Sequence, residues 1–163
     1  MDFAGANYIA IVVAAIAAFV FGAAYYGVLG KPWMKAARIE PKDGPGMPPP
    51  SLLINSIICE LIMAWVLAGV IGHLGDGQVT LWNGIVSGFF VWLGFMATTL
   101  AVNQRYEGFG WDLTIIDGLH WLGVALIMGA VIGFLAGWLV EDIHGPGGER
   151  IVGFEKFAPV HRG

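Results

Sequence analysis

Charge is what this chain has least of. Only 12% of its 163 residues are Asp, Glu, Lys or Arg, about half the roughly 25% of an ordinary soluble domain. Cysteine is nearly absent: Cys59 stands alone, so no intrachain disulfide can form, and its apolar surroundings in sequence suit a small packed hydrophobe. There is no basic run, and the net charge is -4, which argues against nucleic acid as a partner. No segment alternates with period two, which argues against a membrane β-barrel. Catalytic signatures are missing as well. No serine sits in a nucleophile elbow, no Gly-rich loop follows a strand, and neither CxxC nor HExxH occurs.

Apolar length is what the chain has in excess. Hydrophobic residues make up 57% and the mean hydropathy is +0.73. Four apolar runs, at about 8–29, 52–74, 81–102 and 113–140, each meet the roughly 20 residues that a spanning helix needs. The expected fold is all-α: a polytopic membrane protein with four transmembrane helices in an antiparallel bundle. The first run has Ala14, Ala15, Ala17 and Ala18 where a signal peptide would be cleaved, but Asp2 and no cation precede it, so it reads as a retained helix. The fourth run exceeds the lipid core and should tilt or project. Gly75, Asp76, Gly77 and Gln78 form a tight turn that predicts antiparallel neighbours in the second and third helices.

Outside the spans, 31–39 combines Pro32, Trp33, Met34 and three cations and predicts a short interfacial helix. Residues 41–50 read as a Pro- and Gly-rich linker. The tail 141–163 carries Ile151, Val152, Phe154 and Phe157, which could dock on something. Lys31, Lys35, Arg38, Lys42 and Arg105 load loops one and three, against Arg150, Lys156 and Arg162 in the tail. The positive-inside rule therefore puts those loops in the cytoplasm and both termini outside.

Small residues recur every four positions: Ala10, Ala14, Ala18 and Gly22 in the first helix, Gly84 and Gly88 in the third, and Gly129, Gly133 and Gly137 in the fourth. In lipid such ribbons let backbones approach closely. Packing inside the bundle is the expected use. Their number also leaves room for contact with other membrane subunits or a second copy.

One polar cluster stands out. Glu60 and His120 should lie at similar depth, roughly 12–14 Å in from the side of loops one and three. Asp117, three residues before His120, shares its face. Asn55 and Ser56 lie about a turn nearer the surface; Thr98, Thr99 and Asn103 close the third helix there, and Tyr25 and Tyr26 close the first. A carboxyl group at that depth costs at least ~2.5 kcal/mol, so it should face inward and be paired or protonated. The expected bond is Glu60 to His120, with Asp117, a tyrosine or Asn103 completing the network. Three uses are open: a structural clamp, a proton relay or ligand cavity, and pigment or metal ligation by His120. The last is the weakest, because one histidine with scattered carboxylates matches no metal spacing; no cofactor is expected. Asp117 also fits a shallow cap residue. His73, His144 and His161 lie near or beyond helix ends, as solvated groups would, and Trp33, Trp82, Trp111 and Trp138 fall where an aromatic belt is expected.

Tyr26-Gly27, Gly30-Lys31-Pro32-Trp33-Met34, Trp92-Leu93-Gly94-Phe95 and Asp117-Gly118-Leu119-His120 give the chain a further likeness. Over about 7–139 it resembles a family of small bacterial membrane proteins, the domain of unknown function 1761. The resemblance implies a four-helix fold in a bacterial cytoplasmic membrane and carries no activity. Function is expected to be that of an accessory or stabilising subunit without catalysis. The alternative is a small transporter or ligand-binding protein with a proton-linked polar cavity at Glu60, Asp117 and His120.

Overall fold

A computed structural model of the protein describes residues 7–40, 48–75 and 77–143, with side-chain surroundings up to residue 135. The described residues form helices and no strand: α1 (Tyr8–Ala36), α2 (Pro50–Gly72), α3 (Leu81–Tyr106) and α4 (Trp111–Ile143). All four are long and apolar enough to cross a membrane. Gly137 and Trp138 lie in the last turns of α4, beyond the described side-chain surroundings, and the tail 144–163 with its apolar groups, His144 and His161, and the linker 41–47 lie outside the described residues.

The helix ends follow local chemistry. The Asn7 side chain caps α1 by accepting from the amides of Ile9 and Ala10, both at 3.1 Å. Pro50 opens α2, where a missing N–H costs nothing. Thr80 caps α3 through the Asn83 amide. At the exit of α2, Gly69 O accepts the His73 backbone N–H at 3.1 Å and lies 2.6 Å from His73 Nδ1 as well. Gly75 and Gly77 then take positive φ, 104° and 75°, which a residue with a Cβ tolerates poorly.

One expected element does not exist as a separate piece. The segment 31–36 continues α1 through Pro32, where an interfacial helix was predicted. The proline deletes one backbone donor, but the next residue, Trp33, is anchored to α4 (below), and this holds the extra turns to the bundle. The helix then ends in a Schellman turn, with Ile39 N bonded to Met34 O at 2.9 Å. Arg38 occupies its left-handed position, φ 59°, where glycine is usual. Its guanidinium donates to Gly108 O at 2.6 Å and lies 5.4 Å from the centre of the Phe109 ring. Loops one and three are thereby tied together.

Helix α4 is the axis of the bundle. Against α3 the near-contacts are Thr80 with Gly133, Gly84 with Gly129 and Gly88 with Ala125, an antiparallel register. A Cβ on Gly84 would run into the Gly129 carbonyl, and one on Gly129 into the Gly84 carbonyl. The two backbones touch, as small residues at four-residue spacing allow. Against α1 the pairs are Phe21 with Gly123 and Gly22 with His120, also antiparallel. The core joins Ile11, Ala14, Ala15 and Ala18 of α1, Ala64, Leu67 and Ile71 of α2, and Val124, Met128 and Ile132 of α4. Gly84, Gly88, Gly129 and Gly133, with Ala14, Ala18 and Gly22, are therefore spent on internal packing.

Helix α2 packs chiefly on α1, and α3 chiefly on α4. The turn between α2 and α3 makes them neighbours in sequence more than in packing. Cys59 is exposed on the outer face of α2, not packed.

Within α3 the residues Trp92–Ala97 form a π-helical stretch. In a straight α-helix Gln104 would lie about 160° around from Gly88. One extra residue in a wide turn shifts the phase by about 100°. It thus brings Gln104 from the far side of the helix toward α4, while Gly84 and Gly88 keep their contact.

Candidate functional site: a polar end around Asp117, His120 and Glu60

The polar groups gather where α4 begins and α1 ends. Asp117 is their hub. Its Oδ1 accepts from Tyr26 Oη at 3.0 Å and from Trp33 Nε1 at 2.9 Å, and its Oδ2 accepts from Gln104 Nε2 at 2.8 Å. Tyr26 and Trp33 are seven residues apart, two helical turns, so both face α4. The network continues outward. Thr114 donates to Gln104 Oε1 at 2.7 Å, and Arg105 donates to Thr114 Oγ1 at 2.7 Å and Gly110 O at 2.6 Å. The Arg105 guanidinium stacks 4.3 Å from the centre of the Trp111 ring, and its Nε is buried without a partner. Two backbone carbonyls of α4 take additional donors: Ile116 O from Tyr25 Oη and Gly118 O from Trp92 Nε1, both at 2.8 Å. Asp117 is thus an interhelical clamp rather than a cap.

One turn deeper the chemistry changes. His120, 6% exposed, sits among four aromatic rings. The centroid distances are 4.7 Å to Tyr26, 4.8 Å to Trp121, 5.5 Å to Tyr25 and 6.1 Å to Phe21. Its Nε2 edge faces α1 where Gly22 leaves room; a Cβ there would lie 2.9 Å from Nε2. Its Nδ1 is buried with no hydrogen-bond partner. Glu60 of α2, 5% exposed, has its Oε2 buried with no partner. The expected Glu60–His120 bond is not formed. The imidazole is oriented by the aromatic box and the Gly22 gap on α1, and Glu60 is carried separately on α2.

The other expected members divide. Tyr25 and Tyr26 join the cluster. Asn55 and Asn103 are exposed and stay out of it. The Ser56 and Thr98 hydroxyls bond back to their own helix, at Leu52 O and Gly94 O, and Thr99 is exposed. Gln104 stands where Asn103 was expected because of the wide turn in α3. Trp33, placed in an aromatic belt by its position near the end of the run, is a donor to the hub; its seven-residue spacing from Tyr26 was the available signal. Trp92, Thr114 and Arg105 carried no such signal. Trp82 and Trp111 are exposed near helix ends, as a belt requires.

Among the described residues no three His, Cys, Asp or Glu side chains converge as a metal would need. No curated protein and no solved structure matches the chain. The model of one family, described as a protein of unknown function, matches residues 9–133; with four membrane-spanning helices over that stretch, the chain belongs to the DUF1761 family.

Proposed function

We propose that the protein binds a small polar solute, with a coupled proton, in the half of the bundle that holds Glu60, His120 and the Asp117 network, and that it carries out no catalysis of its own. The observation behind this reading is the contrast between adjacent layers. Asp117 has three donors. Glu60 and His120 are buried more deeply, and each has an atom with none. A buried polar atom without a partner costs about 1–3 kcal/mol, and more where water is scarce. A clamp selected only for register would close that gap, as it does at the Asp117 carboxylate; in that outer layer only the Arg105 Nε is left buried without a partner, and its guanidinium still makes two hydrogen bonds. Ionisable groups inside a bundle that remain open to a further partner are the usual mark of proton and solute pathways.

The same reading puts the protein in the cytoplasmic membrane of a bacterium, with loops one and three on the cytoplasmic side and both termini outside. Lys31, Lys35, Arg38 and Arg105 favour that orientation. No cofactor is invoked.

Purified protein in liposomes loaded with a pH-sensitive dye tests the proposal. An imposed pH gradient should drive proton movement, or solute-dependent proton movement, that Glu60→Gln and His120→Asn each reduce. Unchanged flux and unchanged stability in Glu60→Gln would sink it.

The accessory-subunit reading keeps one observation of its own. Leu52, Ile54, Asn55, Ser56, Ile57 and Ile58 at the start of α2 are exposed, and the Asn55 amide among them suits another protein better than lipid tails. The glycine ribbons no longer support it, because the bundle uses them. Gentle purification from native membranes, with identification of what co-purifies in stoichiometric amount, separates the two.

A further inference from the structure

Helix α3 is held to α4 in two different ways on either side of its wide turn. On the Leu81 side, Gly84 and Gly88 press backbone against backbone. Within the wide turn itself, Trp92–Ala97, no residue is buried, and from Thr98 to Tyr106 only Gln104 is. The Tyr106 side is therefore held by polar side chains. Gln104 bonds Asp117 and Thr114, and Arg105 bonds Thr114 and Gly110 O and stacks on Trp111. Trp92 Nε1 pins the start of the wide turn to Gly118 O. Beyond that pin Leu93 and Phe95 are exposed, and a Cβ on Gly94 would meet nothing within 4 Å. A rotation there sweeps side chains through lipid, not through the core.

The sequence at this place suits a second register. If the wide turn relaxes to ordinary α-helix, the chain beyond it turns by about 100°. Asn103 then takes the direction that Gln104 has now, so a primary amide faces Asp117 in either register. Thr98 Oγ1 donates to Gly94 O at 2.8 Å, inside the wide turn. That carbonyl thus keeps a partner whether its own amide bond spans four residues or five. The present register also carries a cost, because Arg105 Nε is buried without a partner. The shift frees that atom at the expense of the bonds to Thr114 and Gly110 O. Asn103 is one methylene shorter than Gln104, which makes the Gln104 register the ground state and leaves the hub looser on its α3 side in the other.

We propose that α3 is a two-register switch, in which the wide turn at Trp92–Ala97 relaxes to α-helix and exchanges Gln104 for Asn103 on Asp117. Asp117 lies on the loop side of His120, so the exchange loosens the polar end from that side while the glycine contact of α3 with α4 stays in place. Wide turns of this kind recur at functional sites. The switch is independent of what Glu60 and His120 bind, and it stands or falls separately.

The test uses the whole protein, perdeuterated, in dodecylmaltoside micelles. Backbone ¹⁵N relaxation dispersion should show microsecond-to-millisecond exchange over residues 98–106 and none over 84–90. Deletion of Phe95 removes the extra residue, leaves Gln104 facing Asp117 and should abolish that exchange. Gln104→Met removes the amide at nearly constant shape and should move the Asn103 side-chain amide protons downfield, as they meet the carboxylate. Asn103→Leu, at an exposed position, should change the unfolding equilibrium by less than about twofold in the wild-type chain. In the Gln104→Met chain the same substitution should weaken folding roughly fivefold, the effect of one lost hydrogen bond. Flat dispersion over 98–106, exchange that survives the deletion, or strictly additive effects of the two substitutions would overturn the switch. If the chain lacking Phe95 does not fold, the cycle of Asn103→Leu and Gln104→Met decides by itself.

Discussion

Gly84→Ala probes the backbone contact that joins α3 to the axis of the bundle. A methyl group at Gly84 would meet the carbonyl of Gly129, with the Gly133 Cα 3.3 Å away. Every obstacle is main chain, so no side-chain rotation can relieve the clash. The two helices must move apart locally, and the flanking pairs at Gly88–Ala125 and Thr80–Gly133 loosen with them. Overpacking of this kind costs about 1–3 kcal/mol. Replacing a helical glycine by alanine returns up to about 1 kcal/mol through backbone entropy, so the raw change understates the strain. Gly27→Ala supplies the correction, because a Cβ there meets nothing within 4 Å. The difference between the two variants should therefore be about 1–3 kcal/mol against Gly84→Ala. Reversible unfolding in dodecylmaltoside micelles titrated with dodecyl sulfate, followed by circular dichroism, measures it. If the two variants unfold within about 0.5 kcal/mol of each other, the typical scatter of an innocuous substitution, the backbone contact does not carry the α3–α4 interface.

Two further outcomes follow from the polar end. Asp117→Asn turns one acceptor into a donor facing Tyr26, Trp33 or Gln104, and should lose about 1–3 kcal/mol of unfolding free energy in the same assay; a neutral result would show that the hub is not a clamp. For orientation, single cysteines at His73 and Glu107 in a Cys59→Ser background should react oppositely with a membrane-impermeant maleimide. His73→Cys should label in intact cells and Glu107→Cys only after lysis. The reverse pattern would invert the assigned topology.

How far the sequence could be read differs from residue to residue. Glu60, Asp117 and His120 were conspicuous because charge inside an apolar run must turn inward, whatever the details of packing. Gly84, Gly88, Gly129 and Gly133 were conspicuous because four-residue spacing marks a helix face. Their bonding partners were not. Asn103 and Gln104 are adjacent, and only the wide turn at Trp92–Ala97 decides which one faces α4. Pro32 resembles a helix start, and only the reach of Trp33 to Asp117 keeps α1 continuous.

The amino-acid sequence alone determined four membrane-spanning helices, the end of the bundle that holds the polar groups, and the small-residue faces. Each depends on transfer to hydrocarbon or on helical period, both properties of a local stretch of chain. Tertiary structure decided that Asp117 is saturated while Glu60 and His120 are not, and that α2 and α3 pack on different partners. These depend on the angular phase of each helix and on which neighbour it packs against. Hydrogen bonds are directional over about an ångström, whereas hydropathy specifies position only to within a helical turn.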